Sequence, residues 1–318
     1  MNARLPLVCT LLLLIWFCLF SSGVDAKQKQ PSTSGEKGQP DISSLQLRAQ
    51  QGNPEAEYLL GRSYMTGTGV PQNYEEAAKW FLQSAAQGLA DAEFSLGYLY
   101  EHGDGVPRDY QQALSYYSAA ANQGHATAEN NLASMYEHGR GVKKNLDEAK
   151  RRYRAAAEHS EVVAQCNLAS LYFRGHDYSQ AAVWFRAAAQ QGDATAQEDL
   201  AWMYYTGTGI GLDYSEAAKW VRLAAEQGYA RAQLDLGYLY EQGKGVPLDY
   251  PYAYVWYRIA ATGGEKRAAE KLRTVEQVMT QDQIKKAKAT TDQLSRSLPK
   301  VKNATNASSI ANSFLEPR

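Results

Sequence analysis

GTGVPQNYEEAAKWF at residues 67–81 returns almost unchanged as GTGIGLDYSEAAKWV at residues 207–221, 140 residues later. A chain that repeats itself in this way is read first for its period, because the period decides the fold. Unit boundaries fall at Gly88, Gly124, Gly192, Gly228 and Gly264, with Ser160 in the vacant place, separated by 36, 36, 32, 36 and 36 residues. Two helices of roughly 11 to 14 residues and short turns fill such a unit. The spacing predicts six helical hairpins, at about 52–88, 89–124, 125–160, 161–192, 193–228 and 229–264.

Each unit opens with Ala (Ala56, Ala92, Ala128, Ala164, Ala196, Ala232), followed at offset 4 by Leu, at 5 by Gly or Ala and at 8 by Tyr. Those offsets share one side of a helix and predict its core face. The tiny residue at offset 5 admits a partner helix at close range. A Gly-x-Gly pair such as Gly67 and Gly69 then ends the helix, since glycine tolerates positive φ. The second helix carries Ala pairs and a row of Trp80, Tyr116, Trp184, Trp220 and Trp256, with Arg152 in the third unit.

The layout A-x-x-x-L-G-x-x-Y-x-x-G-x-G-V, then Asp/Asn-Tyr, an Ala pair and Trp, resembles the Sel-1-like repeat family, relatives of the tetratricopeptide repeats. It covers about two thirds of the chain. The resemblance implies an all-α fold, an α/α superhelical solenoid of six hairpins with a C-terminal capping helix, whose first helices line a concave groove. The fourth unit departs from the pattern: it keeps Gly175, lacks the second Gly and the Val, and is four residues shorter.

Residues 1–26 carry one basic residue, Arg4, an apolar run from Leu5 to Phe20 and a small-x-small ending at Ala26. This predicts a secretory signal cleaved after Ala26, hence a periplasmic or secreted protein, most simply of a bacterial envelope; the alternative is an uncleaved anchor. Cys9 and Cys18 leave with the signal, so Cys166 alone remains and no internal disulfide forms. Cys166 reads as a small apolar packing residue. Residues 27–46 and 295–318 are polar enough to predict a disordered linker and tail. Residues 265–294, with helical spacing at Ala268, Leu272 and Val275, predict capping helices for the exposed end of the stack.

No catalytic or metal constellation stands out, whether His-Glu-x-x-His, Gly-x-Ser-x-Gly, a phosphate loop or Cys-x-x-Cys. The run GTGIG at 207–211 is explained by the repeat turn. A formal net charge of −1 speaks against nucleic acid as a partner. The expectation is a protein with no enzyme activity, cofactor or metal.

What remains is surface on the first helices, at offsets 3, 6 and 10. Offset 3 supplies Asn131, Asn167, Asp199 and Asp235; offset 6 supplies Arg62, Tyr98, Trp202 and Tyr238; offset 10 supplies His102, His138 and Arg174. Asparagines that donate and accept suit an extended peptide backbone, and Tyr and Trp are favoured anchors at interfaces. The aspartates predict an acidic C-terminal half that favours a basic segment. The expected function is a non-catalytic exported scaffold or adaptor that binds a protein or peptide in this groove, which by family resemblance suggests envelope signalling or host interaction. Two alternatives are a weak hydrolase or penicillin-binding-type enzyme of the envelope, and a degradation scaffold of the endoplasmic reticulum, the latter prompted by the sequons at Asn303 and Asn306. The sequence leaves open whether the groove is filled by the protein's own tail.

Overall fold

The computed structural model describes residues 41–299 and residue 314. The expected signal and most of the linker lie outside them. A leading helix, α1 (Ile42–Gln50), precedes six hairpins: α2 (Pro54–Thr66) with α3 (Tyr74–Ala86), α4 (Ala90–His102) with α5 (Tyr110–Asn122), α6 (Ala126–His138) with α7 (Leu146–Glu158), α8 (Val162–Arg174) with α9 (Tyr178–Gln190), α10 (Ala194–Thr206) with α11 (Tyr214–Glu226), and α12 (Ala230–Gln242) with α13 (Tyr250–Thr262). Two further helices, α14 (Lys266–Glu276) and α15 (Gln281–Ser297), close the stack, α15 folding back onto α13. From α1 to α14 each helix packs on its neighbours in the chain, which is the arrangement of a solenoid. No helix among the described residues is long and apolar enough to cross a membrane.

The motif quoted at the outset now resolves into three separate jobs. Gly67, Gly103, Gly139, Gly207 and Gly243 cap the first helix in the left-handed conformation. The Asp or Asn before each second helix is its N-cap: the Asn73 side chain accepts from the Glu76 N–H (3.1 Å) and Asp213 from that of Glu216 (3.0 Å). The second glycine of the pair is needed for contact between units. A Cβ on Gly141 would sit 2.5 Å from the carbonyl oxygen of Tyr110, the first residue of the preceding unit's second helix, and Gly105, Gly209 and Gly245 meet Tyr74, Tyr178 and Tyr214 in the same way.

The core follows the expected Ala and Leu rows: Ala56, Leu60, Ala92, Leu96, Ala128 and Leu132 are fully buried. On the second helix, however, the ring that fills the core is one residue beyond the Trp row. Phe81, Tyr117, Tyr153, Phe185 and Tyr257 are at most 1% exposed, whereas Trp80, Tyr116 and Trp184 are only half-buried; in the last two units Trp220 and Trp256 are buried as well. The rings of Phe81, Tyr117 and Tyr257 lie against Gly61, Gly97 and Gly237, where a Cβ would come within 2.5 to 2.7 Å. The small residue at offset 5 therefore admits an aromatic ring, and burying each ring contributes about 2–3 kcal/mol.

Two boundaries differ from the sequence expectation. The first helix begins at Ile42, inside the polar linker, because Asp41 caps it and Leu45 and Ala49 bury against Ala56 and Leu60. The last helix runs to Ser297, three residues into the stretch read as tail, and Phe314 beyond it is buried.

Candidate functional site

One position on the first helix, offset 9, organises the face. In units two, three and six it is Glu101, Glu137 and Glu241, and each accepts the hydroxyl of the core tyrosine of its own hairpin: Tyr117 (2.8 Å), Tyr153 (2.9 Å) and Tyr257 (2.5 Å). A cation from the next unit, or for unit six from the capping helix α14, completes each set. Arg140 reaches Glu101 (2.5 Å), Arg174 reaches Glu137 (2.5 Å) and Lys271 reaches Glu241 (3.1 Å). A buried hydroxyl needs an acceptor and a buried carboxylate needs a donor or a cation, so the residues are mutually required. Burial, reinforced by the neighbouring carboxylate, pushes the phenols of Tyr117 and Tyr153 far above their usual range. Where the second-helix core residue has no hydroxyl, offset 9 is uncharged: Met65 accompanies Phe81, Phe173 accompanies Phe185, and Tyr205 accompanies Val221.

The residues singled out from sequence do not form one continuous surface. Arg62 is exposed, its guanidinium 5.8 Å from the Tyr58 ring and apart from the others. Tyr98, 38% exposed, stacks on His102 at 4.1 Å, and the His102 and His138 rings each bond through Nδ1 to a carbonyl of their own helix, at Tyr98 and Ser134 (both 2.9 Å). Asn131 and Asn167 are joined through Asn130, which offset counting missed: Asn167 Nδ2 donates to Asn130 Oδ1 (3.0 Å) and Asn130 Nδ2 to Asn131 Oδ1 (3.2 Å). Arg174 pairs with Glu137 while its side chain stays 57% exposed. Asp199, Trp202 and Asp235 are far more enclosed than a hydrated groove implies, at 1%, 7% and 4% exposure.

At the C-terminal end these side chains meet a piece of the chain itself. The Phe314 ring stacks face to face on Tyr205, centroids 4.3 Å apart and planes 5° from parallel. The Phe314 backbone N–H donates to Asp235 Oδ1 at 3.0 Å. Asp235 thus reads a main-chain amide here, where the sequence predicts attraction of a basic segment. Tyr238 flanks Tyr205 at 6.5 Å, and Lys244 bonds the Tyr205 hydroxyl (2.8 Å) while lying 4.8 Å and 5.1 Å from the rings of Tyr205 and Tyr214. Burial raises the Tyr205 phenol. The signal in the sequence was the exchange of Glu for Tyr at position 205 together with Val221, and an isolated Phe-Leu pair at 314–315 in a polar tail.

The shortened turn of unit four leaves a second feature. Asp177 N–H closes directly on the Tyr172 carbonyl (3.0 Å), and the glycine that would cover the preceding unit's helix start is missing. Leu146 is left 44% exposed beside a cleft of about 240 Å³ lined by His138, Lys144, Lys150 and Arg174. Cys166 is buried, its Sγ 3.6 Å from Asp193; burial first, then the charges of Asp193 and Asp199, push the thiol well above its usual range, opposite to what a nucleophile needs. Among the described residues no group of three or more His, Cys, Asp or Glu could hold a metal ion.

Comparison with known proteins agrees with this architecture. The Sel1 repeat model matches six consecutive segments, 54–89, 90–125, 126–160, 162–193, 194–229 and 230–265. The structure is similar to that of a protective antigen present in uropathogenic Escherichia coli strains that displays an SLR fold (34% identity, TM-score 0.71, covering 81% of this chain and 56% of that one). It is also similar to a Sel1 repeat protein from Oxalobacter formigenes (34% identity, TM-score 0.65, covering 73% of this chain and 68% of that one). The chain thus spans little more than half the length of the former. No curated protein matches. Six matched segments across most of the described residues, with the repeat's turn, cap and ring-on-glycine contacts in place, make this chain a member of the Sel1 repeat family.

Proposed function

We propose that the protein is a non-catalytic, exported scaffold that holds an extended peptide segment of a protein partner against the face of its first helices. Sel1 repeats commonly serve protein interaction. The observation that carries the reading is the Phe314 contact: one buried carboxylate accepts a main-chain N–H while an aromatic platform takes the side chain, which is how a groove holds a peptide rather than a small metabolite. The Asn131–Asn130–Asn167 chain and the Tyr98–His102 pair continue the same polar and aromatic character towards the N-terminal units.

The test is site-specific photo-crosslinking in envelope extract, with the probe at Tyr98 on a first helix or at Val183 or Leu223 on exposed positions of second helices. A discrete adduct from position 98 and none from 183 or 223 supports the face. Adducts from the second helices alone overturn it. Export is checked separately by N-terminal sequencing of the envelope fraction, where a mature start at Lys27 is expected. Saturable hydrolysis of a β-lactam or cell-wall fragment by the purified chain would favour the enzyme alternative.

A further inference from the structure

We infer that Tyr205, Asp235, Tyr238 and Lys244 form a subsite for an aromatic residue of an extended peptide, and that the chain's own Phe314 is a tethered competitor for it. This rests on the peptide-binding reading above and adds to it the chemistry of the ligand and a means of control.

Three observations converge. Phe314, 79 residues from Asp235 in the chain, is 8% exposed, stacked at 4.3 Å on Tyr205 and bonded through its backbone to Asp235, so both its ring and its main chain are engaged. Contact through a backbone N–H tolerates any residue, whereas a parallel ring at this distance selects an aromatic. Tyr205 is also the point at which the repeat gives up its internal device. Glu101, Glu137 and Glu241 each accept a tyrosine hydroxyl and meet a cation from the following unit or, for Glu241, from α14. In unit five Glu and Tyr are replaced by Tyr205 and Val221, yet the cation remains: Lys244 occupies the place of Arg140 and bonds the Tyr205 hydroxyl instead. The Tyr205 hydroxyl is therefore held by Lys244 while one face of its ring takes Phe314. A tail ending in such a site faces an effective concentration of order mM, so a partner peptide must outcompete it.

The repeat itself supplies a variant expected to fold. Tyr205→Glu with Val221→Tyr rebuilds the arrangement of units two, three and six, with Lys244 already in position, and removes the platform. A fluorescein-labelled peptide of residues 308–318 is titrated, with anisotropy as readout, into the full chain, a chain ending at Ser313, and that truncated chain carrying the double substitution. The expected result is at least tenfold tighter binding by the truncated chain than by the full chain. Loss of at least fivefold is expected on either Tyr205→Glu/Val221→Tyr in the protein or Phe314→Ala in the peptide, with unchanged helicity. Equal binding by full and truncated chains, or indifference to the peptide's Phe, overturns the inference. A mass that rises with concentration for the full chain and not for the truncated one places Phe314 in a second copy and overturns the tethered arrangement. Because this assay uses only the chain and its own tail, its failure is distinct from failure of the Tyr98 crosslink, which reads a foreign partner at the other end of the face.

Discussion

The Gly-x-Gly pair offers a sharp test of what the repeat motif is for, because its two glycines have the same backbone conformation and different surroundings. Gly139 and Gly141 have φ of 72° and 67°. An alanine at either pays the left-handed conformation, about 1–2 kcal/mol. At Gly139 a Cβ meets Lys144 Cβ at 3.3 Å and the Lys144 backbone nitrogen at 3.4 Å, a close contact within the same turn that a shift of a few tenths of an ångström relieves, so little is added. At Gly141 it would lie 2.5 Å from the Tyr110 carbonyl oxygen and 2.7 Å from its carbon. Those atoms belong to the first turn of α5, so relief requires moving the unit-three turn off unit two, an overpacking cost of about 1–3 kcal/mol more. Gly141→Ala should thus destabilise by about 2–5 kcal/mol and Gly139→Ala by about 1–2 kcal/mol. Urea unfolding followed by circular dichroism measures the difference, and hydrogen exchange on each side of the unit-two to unit-three seam locates it, since a long array need not unfold in one step. If the two substitutions cost the same, the second glycine serves only its own backbone and the inter-unit argument fails.

The Glu137 set predicts non-additivity: Glu137→Met leaves the buried Tyr153 hydroxyl without its acceptor and should cost about 2–3 kcal/mol, part of which Tyr153→Phe restores by copying the Met65–Phe81 pair of unit one. A double-mutant cycle by urea unfolding checks this, and strict additivity refutes it. The Arg151 guanidinium, with Arg152, holds the Glu148 carboxyl down at about 2 from 4.5. A lowered folded-state value stabilises above the unfolded one, so this contribution, about 1–2 kcal/mol after allowing for the exposed Arg151, disappears as pH falls from about 4.5 to 2, and Glu148→Gln should flatten stability across that window. A chain starting at Lys27 carries Cys166 as its one thiol, which should react with a disulfide reagent at pH 8 only after unfolding by urea. Rapid labelling of the folded protein would show the thiol to be open and active.

The period, the two helices per unit and the Ala and Leu core rows were legible because each recurs six times, and chance does not align so many positions. The core aromatic was harder to place, since Trp80 and Phe81 are adjacent and bulk favours the wrong one. What decides between them is the ring's contact with Gly61, a pairing between helices that helical spacing within either cannot reveal. The surface rows gave residues that stand on the right helices but not their surroundings. Asp199 and Asp235 count as exposed on a single helix and become buried once neighbouring units stack against them. Arg174 looks like a free groove cation until the preceding unit supplies Glu137 as its partner. Phe314 was invisible to composition, because one apolar pair does not offset the polarity of a tail, although a preformed aromatic platform can bury it.

The departures from the repeat carry more information about function than the repeat does. A position that serves packing alone can hold the same residues in every unit, and offset 9 alternates between two self-consistent solutions: a hydroxyl with a carboxylate, or neither. Tyr205 fits neither solution, since Val221 supplies no hydroxyl and Tyr205 brings one of its own, satisfied by Lys244 across the seam. Phe314, the one described residue beyond 299, then lands on that ring. Unit four departs differently, by deletion, and leaves Leu146 and a basic-lined cleft uncovered at the seam that the missing glycine would have closed. The first departure adds a platform with a matching occupant, the second merely omits a cover, and it is the former that ties this scaffold's groove to a particular ligand chemistry.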